Sequence, residues 1–186
     1  MEIKLRICIM KKNSFIFFLL LLSFSVTGKT SDFIVCKSKF ALCTKASCNF
    51  IPGKKRWASC DCSVQEGYSL GKKPCTGVKN TSKGQIIKSR YYPVKTHAIC
   101  KNNRPWAWCL DSSCIIDKKD PSKAECTCTV VHNKGPYVIV TDKYTKNTCT
   151  TGLYSSATVK GAEEITDFLK AHKELRPFPI KIINKQ

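Results

Sequence analysis

The sequence predicts a mainly β protein with one C-terminal α-helix, arranged as two tandem, homologous, disulfide-rich modules. Three observations carry this. Cysteine is enriched, with 13 in 186 residues, near the level that marks a disulfide scaffold. The cysteines recur at matching spacings in two halves. Short runs of alternating or β-branched residues bounded by turn signals dominate the chain, and a single stretch has helical periodicity.

An export leader is expected first. Lys11 and Lys12 precede Phe15–Val26, a run of twelve residues broken only by two serines, and Gly28 with Val26 suits a cleavage site. The run is short of the roughly 20 apolar residues of a permanent span, so no transmembrane anchor is expected after cleavage. Met10 is an alternative start to Met1, because Met10-Lys11-Lys12 already opens a complete leader. Removing residues 1–28 takes away four cations, one anion and Cys8, and lowers the net charge from +19 to +16. Twelve cysteines then remain, an even number, as exported chains favour.

Those twelve form two sets. Cys36, Cys43, Cys48, Cys60, Cys62 and Cys75 are separated by 7, 5, 12, 2 and 13 residues. Cys100, Cys109, Cys114, Cys126, Cys128 and Cys149 are separated by 9, 5, 12, 2 and 21. The flanks agree as well. Ala41-Leu42-Cys43 matches Ala107-Trp108-Cys109, and Ala58-Ser59-Cys60-Asp61-Cys62 matches Ala124-Glu125-Cys126-Thr127-Cys128. Beyond the sixth cysteine, Lys83-Gly84 is read with Lys160-Gly161, and Arg90-Tyr91-Tyr92-Pro93 with Arg176-Pro177-Phe178-Pro179. The expected organisation is a leader over 1–28, one module over 33–97 and a second over 98–184, fused or side by side.

Trp57–Val64 and Ala124–Val131 read as strands, so Cys60 and Cys62 share one face with Asp61 turned away, and Cys126 and Cys128 share one around Thr127. Ile86–Tyr92 and Tyr137–Thr141 are further strands, and Pro93 and Pro179 argue for edge positions. The helix is expected over 162–172, in an insertion of the second module. Ile165, Phe168 and Leu169 fall on one face, Glu163 and Glu164 lie near its start, and Lys170, His172 and Lys173 near its end.

Two chemistries are open to the cysteines. Thiolates at Cys-x-Cys and Cys-x4-Cys spacing match a tetrahedral metal site; an oxidising compartment favours disulfides instead. The expected leader selects disulfides, three within each module, and neither a metal nor a cofactor is expected. Two cysteines one residue apart do not close on each other readily, so each Cys-x-Cys must staple two other segments. Six cysteines allow many connectivities, and the sequence does not choose among them. At about 2–4 kcal/mol per bond, three staples rival what a small core supplies alone.

No catalytic residue is assigned. The chain holds no Gly-x-Ser-x-Gly elbow, no phosphate-cradling Gly-rich loop and no His-Glu-x-x-His helix. His97, His132 and His172 stand at no ligand spacing. Asp111, Asp117 and Asp120 are close enough in sequence to suggest a cation site, against the plainer reading of a solvated loop beside Lys118 and Lys119. Trp106 and Trp108, two apart, share a strand face. Exposed, they form a platform for a ligand's flat ring; buried, they pack on a disulfide, and apolar Phe40 and Leu42 at the matching positions favour burial. Asn80-Thr81-Ser82 is a glycosylation sequon in a eukaryotic secretory pathway.

Charge carries most of the functional reading. With 32 Lys+Arg against 13 Asp+Glu, the field favours anionic partners such as lipid headgroups, acidic glycans or cell-wall polymers. The basic runs are short (Lys54-Lys55-Arg56, Lys72-Lys73, Lys118-Lys119), and lysine predominates, which fits diffuse attraction rather than specific nucleic-acid readout. The expected role is that of a secreted or periplasmic binding protein. A small secreted hydrolase acting on polysaccharide and a cationic membrane-active toxin are the alternatives.

Overall fold

The computed structural model describes residues 32–92, 96–172, 175 and 181–184. The expected leader, Pro93, Lys173 and the segment Arg176–Ile180 lie outside the described residues. Among those described the protein is mainly β with one α-helix. The strands are β1 (Ile34–Leu42), β2 (Ser47–Phe50), β3 (Trp57–Gly71), β4 (Lys79–Thr81), β5 (Gly84–Lys88), β6 (Thr96–Cys100), β7 (Trp106–Trp108), β8 (Ser113–Ile116), β9 (Lys123–Val131), β10 (Tyr137–Val140), β11 (Leu153–Tyr154), β12 (Ala157–Thr158) and β13 (Lys181–Ile182), and helix α1 spans Val159–Ala171.

The main sheet runs β11-β2-β3-β9-β8-β5-β4, with β1 also beside β3 and β7 beside β9. A second sheet runs β12-β10-β6-β13. The expected strands are present, and β3 extends seven residues beyond Val64 because β1 pairs with its second half, from Ser63 to Gly71. β5 ends at Lys88; beyond it Ser89 and Tyr91 make single bridges to Ala41 and Leu70.

Six disulfides join all twelve cysteines. Within each half they nest. Cys36–Cys75 encloses Cys43–Cys62, which encloses Cys48–Cys60. Cys100–Cys149 likewise encloses Cys109–Cys128 and Cys114–Cys126. Each Cys-x-Cys therefore staples its strand to two other segments, as its geometry requires. The sulfurs point inward from β3 and β9 and, with Ala41, Ala58, Ala107, Ala124, Ile87, Ile116 and Leu153, make one continuous core. Cys43 Sγ lies 3.3 Å from Cys126 Sγ, a sulfur–sulfur contact between two disulfides. Alanine at the adjoining positions leaves room for these bridges; a larger side chain there would overpack the layer.

The two halves share this core because β3 pairs antiparallel with β9, setting Cys60 opposite Cys126. The contacts around that point recur at a constant displacement of 66 residues. Ala41 bridges Ser89, and Ala107 bridges Ser155. The Val64 N–H donates to the Ser122 carbonyl at 2.7 Å, and the Val130 N–H to the Arg56 carbonyl at 2.9 Å. Beyond the sixth cysteine the chains cross over. β5 of the first half pairs with β8 of the second, Ile87 opposite Cys114, and β11 of the second half pairs with β2 of the first, Leu153 opposite Cys48. The structural counterparts past the cysteines are thus Ile87 and Leu153. Lys83-Gly84 and Lys160-Gly161 are not counterparts, for the first lies at the β4–β5 turn and the second inside α1.

Helix α1 starts three residues before the expected position. Thr158 caps it, accepting from the Gly161 N–H at 3.1 Å, the favoured use of a threonine at this position. Glu163 and Glu164 consequently fall past the first turn, which holds no acid. Ile165 and Leu169 are buried with Leu70 and Leu175, and Phe168 packs 5.4 Å from Phe33. The apolar face read from the sequence is the one that docks.

One polar lock sits inside this framework. Arg90 and Asp111 are ion-paired at 3.4 Å with side chains only 3% and 6% exposed. Arg90 also donates to Ser69 Oγ (3.2 Å) and to the carbonyls of Lys73 (3.0 Å) and Ile34 (2.6 Å), so it ties the start of β1 to the end of β3 and the residues just after it. Asp111, at φ 59°, accepts from the Lys72 N–H at 2.7 Å. Gly71 lies so close to both side chains that no Cβ fits there. Displaced by 66 residues, the same places hold Ser156 and Lys45; Lys45 instead makes an exposed ion pair with Asp142 at 2.9 Å. Removing one partner of a buried pair strands the other charge, whereas an exposed pair is worth little. Arg90→Met is therefore expected to lower unfolding free energy by about 3–5 kcal/mol and Lys45→Met by less than about 1 kcal/mol, measured by urea denaturation with disulfides intact.

Candidate functional site

The sequence-selected residues fall into separate places. The twelve cysteines are all in disulfides, and although sulfurs of Cys43, Cys109 and Cys128 cluster closely enough for a metal, each is bonded to another sulfur and offers no thiolate. Trp106 is 3% exposed and stacks against Tyr137 at 6.4 Å, with Trp108 edge-on at 6.2 Å. The pair belongs to a cluster with Cys100, Cys149 and Ile139. This is the disulfide-packing arrangement; Trp106 presents no open platform.

The three aspartates do not converge either. Asp111 is the buried partner of Arg90. Asp117 and Asp120 instead organise the β8–β9 turn. Asp117 Oδ1 accepts from the Lys119 and Asp120 N–H groups at 2.7 and 3.3 Å, and Asp120 from the Ser122 N–H at 3.2 Å and from Lys123 Nζ at 2.9 Å. The Ser122 hydroxyl, then Lys123, holds the Asp120 carboxyl down to about 2. Asp117 Oδ1 and both Asp120 oxygens are thus taken up by the turn and its flank.

Asp61 and Glu125 stand opposite each other on the outer face of β3 and β9, in a groove of about 690 Å³ lined also by Ile115, Asp117, Lys118 and Lys123. The Ser59 hydroxyl donates to Glu125. Asn80 is exposed on β4, its Oδ1 accepting from Gln85 Nε2 at 3.2 Å.

The tip of the β2–β3 hairpin is built differently from its counterpart. Pro52 and Gly53, the latter at φ +71°, occupy the centre of a turn closed by the Lys54 N–H donating to the Ile51 carbonyl at 2.9 Å. Proline presets the second position and glycine accepts the left-handed third, the pattern of a type II turn. The Ile51 N–H donates to the Trp57 carbonyl (3.1 Å) and the Trp57 N–H to the Lys54 carbonyl (2.9 Å). Cys48–Cys60 clamps the hairpin just below. Lys54, Lys55 and Arg56 are all exposed on this rigid tip, and among the described residues none of them makes an ion pair. Phe50 and Trp57 flank them, 48% and 43% exposed. Trp57 lies opposite Thr129, which lies opposite Trp108, so the two tryptophans stand in one cross-strand row with Thr129 between them.

The basic run is plain in the sequence, and its aromatic flanks are a weaker signal. The signal was present as Phe-Ile-Pro-Gly before the run and Trp after it, an apolar residue on either side of a proline–glycine turn. Comparison with family models, curated proteins and solved structures finds no match to this chain.

His97 is buried in β6, where burial lowers its affinity for a proton. His132 is exposed, and His172 stacks on Phe168 at 3.9 Å. Because the folded value of His97 lies below the unfolded one, near 6.5, the unfolded chain takes up the proton first as pH falls. Stability is then lost progressively below about pH 6.5. His97→Gln is expected to flatten the change in urea midpoint between about pH 7 and pH 5 relative to the unmodified protein.

Proposed function

We propose that this is an exported, disulfide-stabilised binding protein without catalytic activity, which engages anionic partners through its basic surface, and that its halves are tandem homologous modules. The observation that carries the reading is the rigid, unneutralised basic tip at Lys54–Arg56, on a framework in which all twelve cysteines are bonded. Six disulfides suit an oxidising compartment, outside the cytoplasm. Among the described residues no helix is long and apolar enough to cross a membrane. The shared nesting of the disulfides and the constant 66-residue displacement support a duplication.

Retention of the exported protein on an anionic support is expected to fall steeply with salt, as unpaired surface cations are screened. A retention that ignores salt overturns the reading. Intact mass before and after reduction is expected to rise by two hydrogens for each of the six bonds, and to place the new N-terminus after Gly28.

A further inference from the structure

We infer that the β2–β3 tip is the contact by which this protein docks, end-on, onto anionic phospholipid bilayers. The inference rests on the anionic-partner reading and names the partner and the residues.

The two hairpin tips occupy equivalent places at opposite ends of the β3–β9 ladder. At 117–122 the exposed Lys118 and Lys119 are matched in number by two carboxylates, Asp117 and Asp120, which also take the turn's N–H groups, and Asp120 pairs with Lys123. At 51–56 three adjacent cations are exposed and the turn is closed by backbone alone. The apolar residues differ in the same direction. Ile116, the counterpart of Phe50, is buried, while Phe50 is about half exposed; Lys123 stands where the first tip has Trp57. One scaffold thus carries a closed cap at one end and an unpartnered basic and aromatic point at the other.

The placement of the aromatics selects a bilayer over a glycan chain. Phe50 lies opposite Ala58, on the core side of the sheet, and Trp57 is on the outer side. Residues on opposite faces do not stack together on one sugar chain lying along either face. Both do enter the headgroup boundary when the tip approaches end-on, the depth at which aromatic rings are favoured. Basic residues beside them then meet the negative surface, and each contributes about fivefold to partition. The tip is already ordered by its turn and by Cys48–Cys60, so little ordering entropy opposes contact.

The test uses the exported, disulfide-intact protein with vesicles of phosphatidylcholine plus phosphatidylserine, phosphatidylcholine alone, and immobilised heparin. Binding to the mixed vesicles is expected, with a blue shift of tryptophan emission that Trp57→Phe abolishes. The combined Lys54→Gln, Lys55→Gln, Arg56→Gln variant is expected to bind about 100-fold more weakly, and Phe50→Ser or Trp57→Ser about tenfold. Lys118→Gln with Lys119→Gln, at the far tip, is expected to bind within about twofold of the unmodified protein. If the triple variant binds mixed vesicles like the parent, the tip assignment falls and the anionic reading stands. Salt-sensitive retention on heparin without vesicle binding overturns the lipid assignment alone. Failure to bind either material overturns both.

Discussion

The antiparallel pairing of β3 with β9 about Cys60 and Cys126 is the constraint from which the other features follow. It places two Cys-x-Cys strands side by side with their sulfurs on one face, so four disulfides must share a single layer. That layer is thin. Sulfur and alanine fill most of it, and Ile87, Ile116, Leu153 and Val130 supply the larger side chains. An interior of this kind buries modest apolar area. Its stability leans on cross-links that limit the unfolded chain. The crossed connections add to this, because each half supplies a strand to the other's edge and neither edge of the central hairpins is left open.

The cysteine framework was legible because the spacings of the two sets match even where the neighbouring side chains differ. Strand alternation around Cys60-Asp61-Cys62 and the apolar spacing of Ile165, Phe168 and Leu169 were legible for the same reason: each is a local period imposed by one buried face. The crossing of β5 and β11 between halves was not legible, since pairing between distant segments leaves no local period. The Arg90–Asp111 lock was invisible for a related cause. Its members are 21 residues apart, and each alone reads as an ordinary surface charge. Helix α1 began early because a threonine cap outweighed the position of its acids. The candidate tip was half legible. The cations announced themselves as a run, whereas the meaning of Phe50 and Trp57 depended on which side of a hairpin each would take.

The departures from the 66-residue regularity are more informative than the regularity. Where the halves agree, the agreement lies in backbone hydrogen bonds, disulfides and the alanines packed against them. Where they differ, the differences are chemical. One buried guanidinium–carboxylate pair faces one exposed lysine–aspartate pair, and one self-capped turn faces one basic, aromatic turn. The groove at Asp61 and Glu125 shows the same separation, since Ser59 and Thr127 fill the places displaced from Glu125 and Asp61. The two halves thus share disulfide nesting and backbone pairing and differ in the chemistry of their exposed turns.

Cross-linking and charge are physically coupled in this chain. A chain with 32 basic and 13 acidic residues repels itself when compact, and that repulsion works against a small core. Neutralising the surface would relieve it but would remove long-range attraction to anionic partners. Disulfides resolve the conflict without changing the surface, because they act mainly by restricting the unfolded ensemble and leave the exposed cations untouched. The position of the strongest basic cluster agrees with this. Lys54, Lys55 and Arg56 project from a turn clamped by the 12-residue Cys48–Cys60 bridge, where like charges are held together at little cost in local order. In a reducing environment the same turn would lose its clamp and the core its cross-links, and the repulsion among the cations would then count fully against the folded state.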